Sequence, residues 1–164
     1  ACRGAEFLVP GQGDGEMRLP TQAAYALIKR WEAFMPVPYL CPANVWTIGY
    51  GCTFDMQGNR VTARTQGVTE VEASEMLERE VSHFAAAINR LFPVELTQGQ
   101  FDALTSFAFN VGAGSVQAST LRRRALRGDS DGAGNEFPKW VWAGGRKLAG
   151  LLNRRIAEQA LWRS

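Results

Sequence analysis

Two capping boxes, Thr69 with Glu72 and Thr97 with Gln100, constrain this chain more than any other feature. In each, a hydroxyl and a side-chain carbonyl or carboxylate three residues on satisfy N–H groups that a first helical turn leaves without partners. Each box therefore fixes where a helix begins. The first opens a segment in which Leu77, Val81, Phe84, Ile88 and Leu91 step by four and three, and Pro93 ends it. In the second, Phe101, Leu104, Phe107, Ala108 and Val111 form an apolar face that closes at Gly112. Two adjacent helices with stripes this apolar demand a helical core, and the rest of the chain must be arranged around it.

Upstream the pattern changes. Thr21 is placed to cap a first helix after Pro20, with Ala24, Leu27, Ile28, Trp31 and Met35 as its buried face. Pro36 and Pro38 should stop it, which puts Glu32 in its last turn. The run Val45–Gly51 (VWTIGYG) reads as a strand, Asp55–Asn59 (DMQGN) as a turn, and Arg60–Thr62 as the returning partner strand. Downstream, short helices are expected over Thr120–Arg127 and Phe137–Trp142, and a last one carries Leu152, Ile156 and Leu161. The expected fold is α+β, a small β-hairpin lobe against a larger helical lobe, with a cleft between them for a site. Residues 1–20 lack helical periodicity and read as an extended lead-in, leaving 21–164 as a single domain.

Composition excludes several classes. At 46% apolar and 21% charged residues, the chain has the make-up of a soluble globular protein. No apolar run approaches the roughly 20 residues that span a bilayer. The C-terminal third carries Arg122, Arg123, Arg124, Arg127, Arg146, Lys147, Arg154, Arg155 and Arg163. Such a distribution suits a polyanionic partner, or simply solvated helix faces. No nucleic-acid motif accompanies it, and the basic residues are scattered over several helices. The three cysteines, Cys2, Cys41 and Cys52, form no C-x-x-C pair, and His83 is the single histidine, so neither a metal nor a cofactor is implied.

Glu32 is the residue whose setting is hardest to explain structurally. A helix C-terminus disfavours negative charge, and Trp31 and Phe34 would partly desolvate the carboxyl. A carboxylic acid kept protonated near neutral pH is what glycosidic cleavage requires of its acid. The alternative from the residues alone is an exposed glutamate paired with an arginine.

The surrounding segment, WEAFMPVPYLCPANVWTIGYGCT, places Cys41 eight residues beyond Glu32 and Thr47 a further five beyond that. This resembles the catalytic signature of the phage-type lysozymes of glycoside hydrolase family 24: Glu, eight residues, Asp or Cys, five residues, Thr. LTQGQFDALTSFAFNVGAGS, STLRRRAL and WAGGRKLAGLLNRRIAEQALW resemble that family's helical lobe in order, so the likeness runs from Thr21 to Ser164. The resemblance implies a lysozyme-like fold and an endolysin, a monomeric muramidase acting on peptidoglycan glycan strands in the bacterial wall. It further implies Glu32 as the acid, Cys41 in the place many members give to aspartate, and Thr47 as a water-holding hydroxyl. Tyr39 and Asn110 are implied as substrate-binding residues. Cys52 stands where relatives usually have histidine, and Asn44 where glycine is commoner, in keeping with a residue that tolerates positive φ. Some relatives carry an N-terminal membrane segment with cysteines that gate activity, which makes Cys2 a candidate gate.

Three other readings are open at this stage. A lytic transglycosylase needs one carboxyl group and gives anhydro ends. A non-catalytic wall binder would use the C-terminal arginines. A cysteine hydrolase would pair Cys41 with His83, although His83 falls inside the first capped helix.

Overall fold

A computed structural model describes residues 17–41, 44–143 and 145–164. Most of the expected lead-in therefore lies outside the described residues. Its last residues dock on the helical lobe: Asn89 Nδ2 donates to the Arg18 carbonyl at 3.0 Å and Gln98 Nε2 to that of Leu19 at 3.0 Å.

Helix α1 (Gln22–Trp31) opens as the sequence indicates, with Thr21 Oγ1 accepting from the Ala23 N–H at 3.2 Å. It stops earlier than expected. Glu32 is already extended at φ −104° and ψ 110°, and Met35, expected on the helix, starts strand β1 (Met35–Leu40). Strand β2 (Trp46–Gly49) pairs antiparallel with β1, Tyr39 facing Thr47 and Leu40 facing Trp46. The partner strand is thus upstream of β2, not Arg60–Thr62, which contributes only an isolated bridge from Arg60 to Phe54. Pro36 and Pro38 mislead because proline normally excludes a segment from a sheet. In a two-stranded sheet each strand keeps an outer edge that needs no N–H donors, and the register is irregular between Met35 and Tyr39. That edge is partly covered, since the Val68 N–H donates to the Pro36 carbonyl at 2.8 Å.

Both capping boxes form as expected, opening α2 (Glu70–Leu91) and α3 (Gln98–Val111). Every residue of α3 from Phe101 to Phe109 is buried, and α1, α2 and a C-terminal helix pack around it. Gly112 ends α3 at φ +86°, a conformation that L side chains rarely adopt. Four short segments follow: α4 (Ala113–Ala118), α5 (Thr120–Ala125), α6 (Ser130–Gly134) and a 3-10 turn (Phe137–Lys139). The expected helix over Phe137–Trp142 is therefore only that turn. Pro138 shortens it, and the chain continues into a hairpin of β3 (Trp142–Ala143) and β4 (Arg146–Lys147). In the final helix, α7 (Ala149–Trp162), Leu161 packs against the core while Ile156 is half exposed, and Arg154, Arg155, Glu158 and Trp162 are buried.

The helical core closes on aromatic rings. Phe107 meets Phe137 and Trp140 edge-on, each with centroids 5.2 Å apart, and Phe137 leans on Trp162 at 5.8 Å. Contact between the lobes is close at Gly49, φ +63°, where an added Cβ would sit 3.0 Å from the Ala73 Cβ of α2. Phe107→Ala should lower unfolding free energy by about 3–5 kcal/mol, and Thr97→Ala by about 1 kcal/mol. Urea titration measures both; equal losses would mean the ring cluster is not the centre of the core.

Candidate active site

Glu32 lies at the junction of α1 and β1, capping the helix that precedes it. Its N–H donates to the Ile28 carbonyl at 3.0 Å, which turns the side chain inward, where 7% of the residue stays exposed. Arg154 Nη1 donates to Glu32 Oε1 at 2.9 Å. The alternative of an exposed, arginine-paired glutamate is half met: the arginine is there, but both partners are buried.

Arg154 belongs to a cluster that joins α7 to α3. Its Nε donates to Glu158 Oε1 at 3.3 Å, and Arg155 Nη2 donates to the same oxygen at 3.1 Å. Ser106 of α3 supplies a third donor to that oxygen at 2.9 Å. Arg155 Nε lies 2.9 Å from the other oxygen, Oε2. The Arg155 guanidinium also donates from Nη2 to Asn110 Oδ1 at 2.8 Å and sits over the Phe107 ring, 4.8 Å from its centroid. Burial pushes the Glu158 carboxyl up and brings Arg155 down to about 10, while their mutual attraction opposes both. Arg155 therefore keeps its proton at neutral pH, and Glu158 is its counter-ion.

The hairpin holds three of the expected site residues. Tyr39 and Thr47 face each other across β1 and β2, and Thr47 Oγ1 donates to the Tyr39 carbonyl at 3.2 Å. Cys41 closes the strand, its N–H donating to the Val45 carbonyl at 3.0 Å, and it is buried. Its sulfur is in a disulfide, whereas Cys52, bridged to Ile48 by backbone pairing, carries a buried thiol. Asn44 takes φ +57°, in keeping with its place in the turn.

Two groups thus emerge. Glu32 and Asn110 are linked through Arg154, Glu158 and Arg155, while Tyr39, Cys41 and Thr47 share the hairpin that begins three residues after Glu32. Asn110 sits inside the last turn of α3 rather than capping it, Gly112 being the cap. His83 is exposed midway along α2. Concavities of about 400 Å³, over the loop around Asp55 and Arg64, and about 420 Å³, beside Asn89 and Phe101, are lined by none of these residues. Among the described residues no group of three or more His, Cys, Asp or Glu is placed to hold a metal.

Sequence reading leaves Arg154 and Arg155 undecided and misses Ser106 and Glu158. The signal is present as Arg154-Arg155-x-x-Glu158, spaced for i,i+3 and i,i+4 pairing on one helix face. Of the apolar residues Leu152, Ile156 and Leu161, Leu161 packs on the core and Ile156 is half exposed.

Fold and site together define a lysozyme-like protein, a small antiparallel hairpin set against a helical body with an inward glutamate between them. The phage lysozyme family model matches residues 29–158, and the chain belongs to that family. It is 40% identical over 146 residues to an endolysin of Bacillus phage PZA, covering 88% of this chain but 55% of that protein, about half its length. It is 36% identical over 148 residues to an endolysin of Acyrthosiphon pisum secondary endosymbiont phage 1, covering 88% of this chain and 97% of the relative. Among solved structures, a point mutant of P22 lysozyme superposes with a TM-score of 0.81 at 31% identity, covering 90% of this chain and all of that one.

The ion cluster is asymmetric. Arg154→Met removes the buried guanidinium that Glu32 and Glu158 share and should cost about 3 kcal/mol, whereas Glu32→Gln leaves Arg154 on Glu158 and should cost about 1 kcal/mol. Comparing the two variants' unfolding midpoints checks this, and the reverse order would mean that Arg154 draws little from Glu158.

Proposed function

We propose that the protein is an endolysin-type muramidase: it hydrolyses the β-1,4 bond between N-acetylmuramic acid and N-acetylglucosamine, with Glu32 as the general acid. The observation that carries this is the buried Glu32 carboxyl at the α1–β1 junction, reached by Arg154 Nη1 in the frame of a phage lysozyme. Glu32 gives its proton to the glycosidic oxygen as the bond breaks through an oxocarbenium-like state. The place of action is the bacterial wall, reached by export or release from the infected cell, and the protein acts as a monomer. Among the described residues no helix is long and apolar enough to cross a membrane.

Thr47 supports hydrolysis over internal cyclisation. Its one hydroxyl proton faces two backbone carbonyls, Tyr39 at 3.2 Å and Val45 at 3.5 Å, so toward a water it acts as an acceptor. A water that donates a hydrogen bond to Thr47 keeps a lone pair for the anomeric carbon. Tyr39, across the hairpin, and Asn110, whose carbonyl is fixed by Arg155, contribute to substrate binding.

Cys41 has a defined chemical consequence. A sulfur in a disulfide offers neither a thiol proton nor a thiolate charge, so in this covalent state it can neither attack nor stabilise a cation. Reduction restores both possibilities, and the reduced form is the active one. This fits the gating role that the resemblance suggests for cysteines.

Digestion of purified peptidoglycan, with mass spectrometry of the products, tests the reaction. Wild type should release fragments with reducing muramic ends, and Glu32→Gln should release none. Anhydro ends would make the enzyme a transglycosylase, and wall binding without cleavage would make it a binder. Adding reductant should raise the lytic rate at least about tenfold, the scale on which loss of one positioned group acts. Cys41→Asp should lyse equally with and without reductant. A wild-type rate indifferent to reductant would mean that the Cys41 sulfur takes no part.

A further inference from the structure

The β3–β4 hairpin sets a bare indole beside two cations. Of the five tryptophans, Trp162 is buried and Trp31, Trp46 and Trp140 are half-buried, whereas Trp142 is 66% exposed. Among the described residues neither a ring nor a cation lies over its indole. Single apolar residues on a surface are ordinary. An uncovered tryptophan is less so, because its broad face and polar N–H are what binding surfaces recruit.

The exposure follows from how the hairpin is anchored. Trp140 packs edge-on against Phe107 with centroids 5.2 Å apart, and Val141 is buried and accepts the Leu148 N–H at 2.9 Å. Alternation along an extended chain then turns Trp142 outward. The hairpin base is thus fixed to the ring that lies under Arg155, and Arg155 holds Asn110. From the hairpin the chain runs straight into α7, whose second turn sends Arg154 to Glu32. Trp142 therefore stands at the end of the helical lobe that carries the candidate site.

Charge on the paired strand adds a second observation. Trp142 pairs with Lys147 and Ala143 with Arg146. Both basic side chains are exposed, and among the described residues neither makes an ion pair or a side-chain hydrogen bond. The acidic groups on either side of them in the chain are taken: Glu136 by Arg124 and Lys139, Glu158 by Arg154 and Arg155. Two available cations beside an open indole suit an anion attached to a flat apolar face. A pyranose ring offers such a face in its C–H groups, and the peptide stems of peptidoglycan carry free carboxylates next to it. A membrane surface asks for an extended apolar face, whereas the two hairpin strands carry one ring and two charges.

We propose that the β3–β4 hairpin is a substrate subsite apart from the cleavage point: Trp142 stacks on a sugar ring of the glycan strand, and Arg146 and Lys147 take carboxylates of its peptide stems. The proposal rests on the reading of the protein as a muramidase. It makes stem-bearing strands better substrates than bare glycan.

The experiment measures kcat and KM, under reductant, on soluble peptidoglycan fragments with stems intact or removed. The variants are Trp142→Ala, Trp142→Phe and Arg146→Gln combined with Lys147→Gln, all at exposed positions, and each should keep the wild-type unfolding midpoint. Trp142→Ala should raise KM about tenfold on both kinds of fragment, with kcat within about twofold, and Trp142→Phe should raise it less. The charge variant should raise KM about fivefold on stem-bearing fragments only, an effect that salt near about 1 M should erase. In a Glu32→Gln background, stem-bearing fragments should shift the indole fluorescence, and adding Trp142→Phe should remove most of that shift. An unmoved KM in Trp142→Ala, or a change confined to kcat, overturns the proposal. So does loss of binding to anionic phospholipid vesicles in Trp142→Ala with KM unmoved, which would make the hairpin a membrane contact. An equal effect of the charge variant on stem-free fragments overturns the stem assignment. An inactive wild type whose fluorescence shift still depends on Trp142 would sink the muramidase reading and keep the subsite. An active wild type beside an unaltered Trp142→Ala removes the subsite alone.

Discussion

Burial of α3 on every side is the constraint on which the rest of this structure depends. A helix with no solvated face from Phe101 to Phe109 must find apolar or fully satisfied neighbours all round. Phe101, Leu104 and Phe107 meet that demand by packing in the larger core. Phe109 faces the other way, into the cluster that α2 shares with Ile28 of α1 and Tyr50 after β2. The same helix is thereby common to both lobes and sets the distance between them. Thr105 turns its hydroxyl back on the Phe101 carbonyl at 2.8 Å, and Asp102 accepts the Thr21 N–H at 2.9 Å. Each of these polar groups on α3 is thus used either to satisfy the helix itself or to bind a neighbouring element to it.

From that arrangement the site follows. The last turns of α3 carry Ser106 and Asn110, which bring hydrogen-bonding atoms to α7, and α7 answers with Glu158 and Arg155. Beside Arg155, α7 supplies Arg154 to the end of α1. The glutamate is therefore oriented from the helical body, while the hairpin carrying Cys41 and Thr47 is oriented by its own backbone pairing and by the close approach at Gly49. The two halves of the site are built independently and meet at the short link from Glu32 to Met35.

Legibility in the sequence followed locality. The Thr21 cap, both capping boxes and the Gly112 stop are decided by side chains within a few residues of the backbone groups they serve, and all four were readable. Strand β1 was not readable, because the tolerance of Pro36 and Pro38 depends on how many strands the sheet has. The charged side of α7 was not readable for a related reason. Periodicity counts apolar residues, but α3 presents Ser106 and Asn110 to α7, and the complementary face is charged. The candidates Glu32, Cys41 and Thr47 came from a family resemblance in spacing, whereas the Glu158 cluster emerged only when three donors were seen to converge on it.

Stability alone gives no reason to keep a buried four-charge cluster here. Replacing such a cluster with well-packed apolar residues often leaves a protein equally stable or more so. The Phe107 ring already lies under Arg155, and Trp162 continues the same helix face, so an apolar α7 would extend a core that is in place. Charge on this face instead gives the buried Glu32 carboxyl an orienting contact from Arg154. Glu158 shares the Arg154 guanidinium and ties it to α3 through Ser106. The cluster is best understood as electrostatics arranged around Glu32, with the fold carrying the energetic cost through the packing of α3.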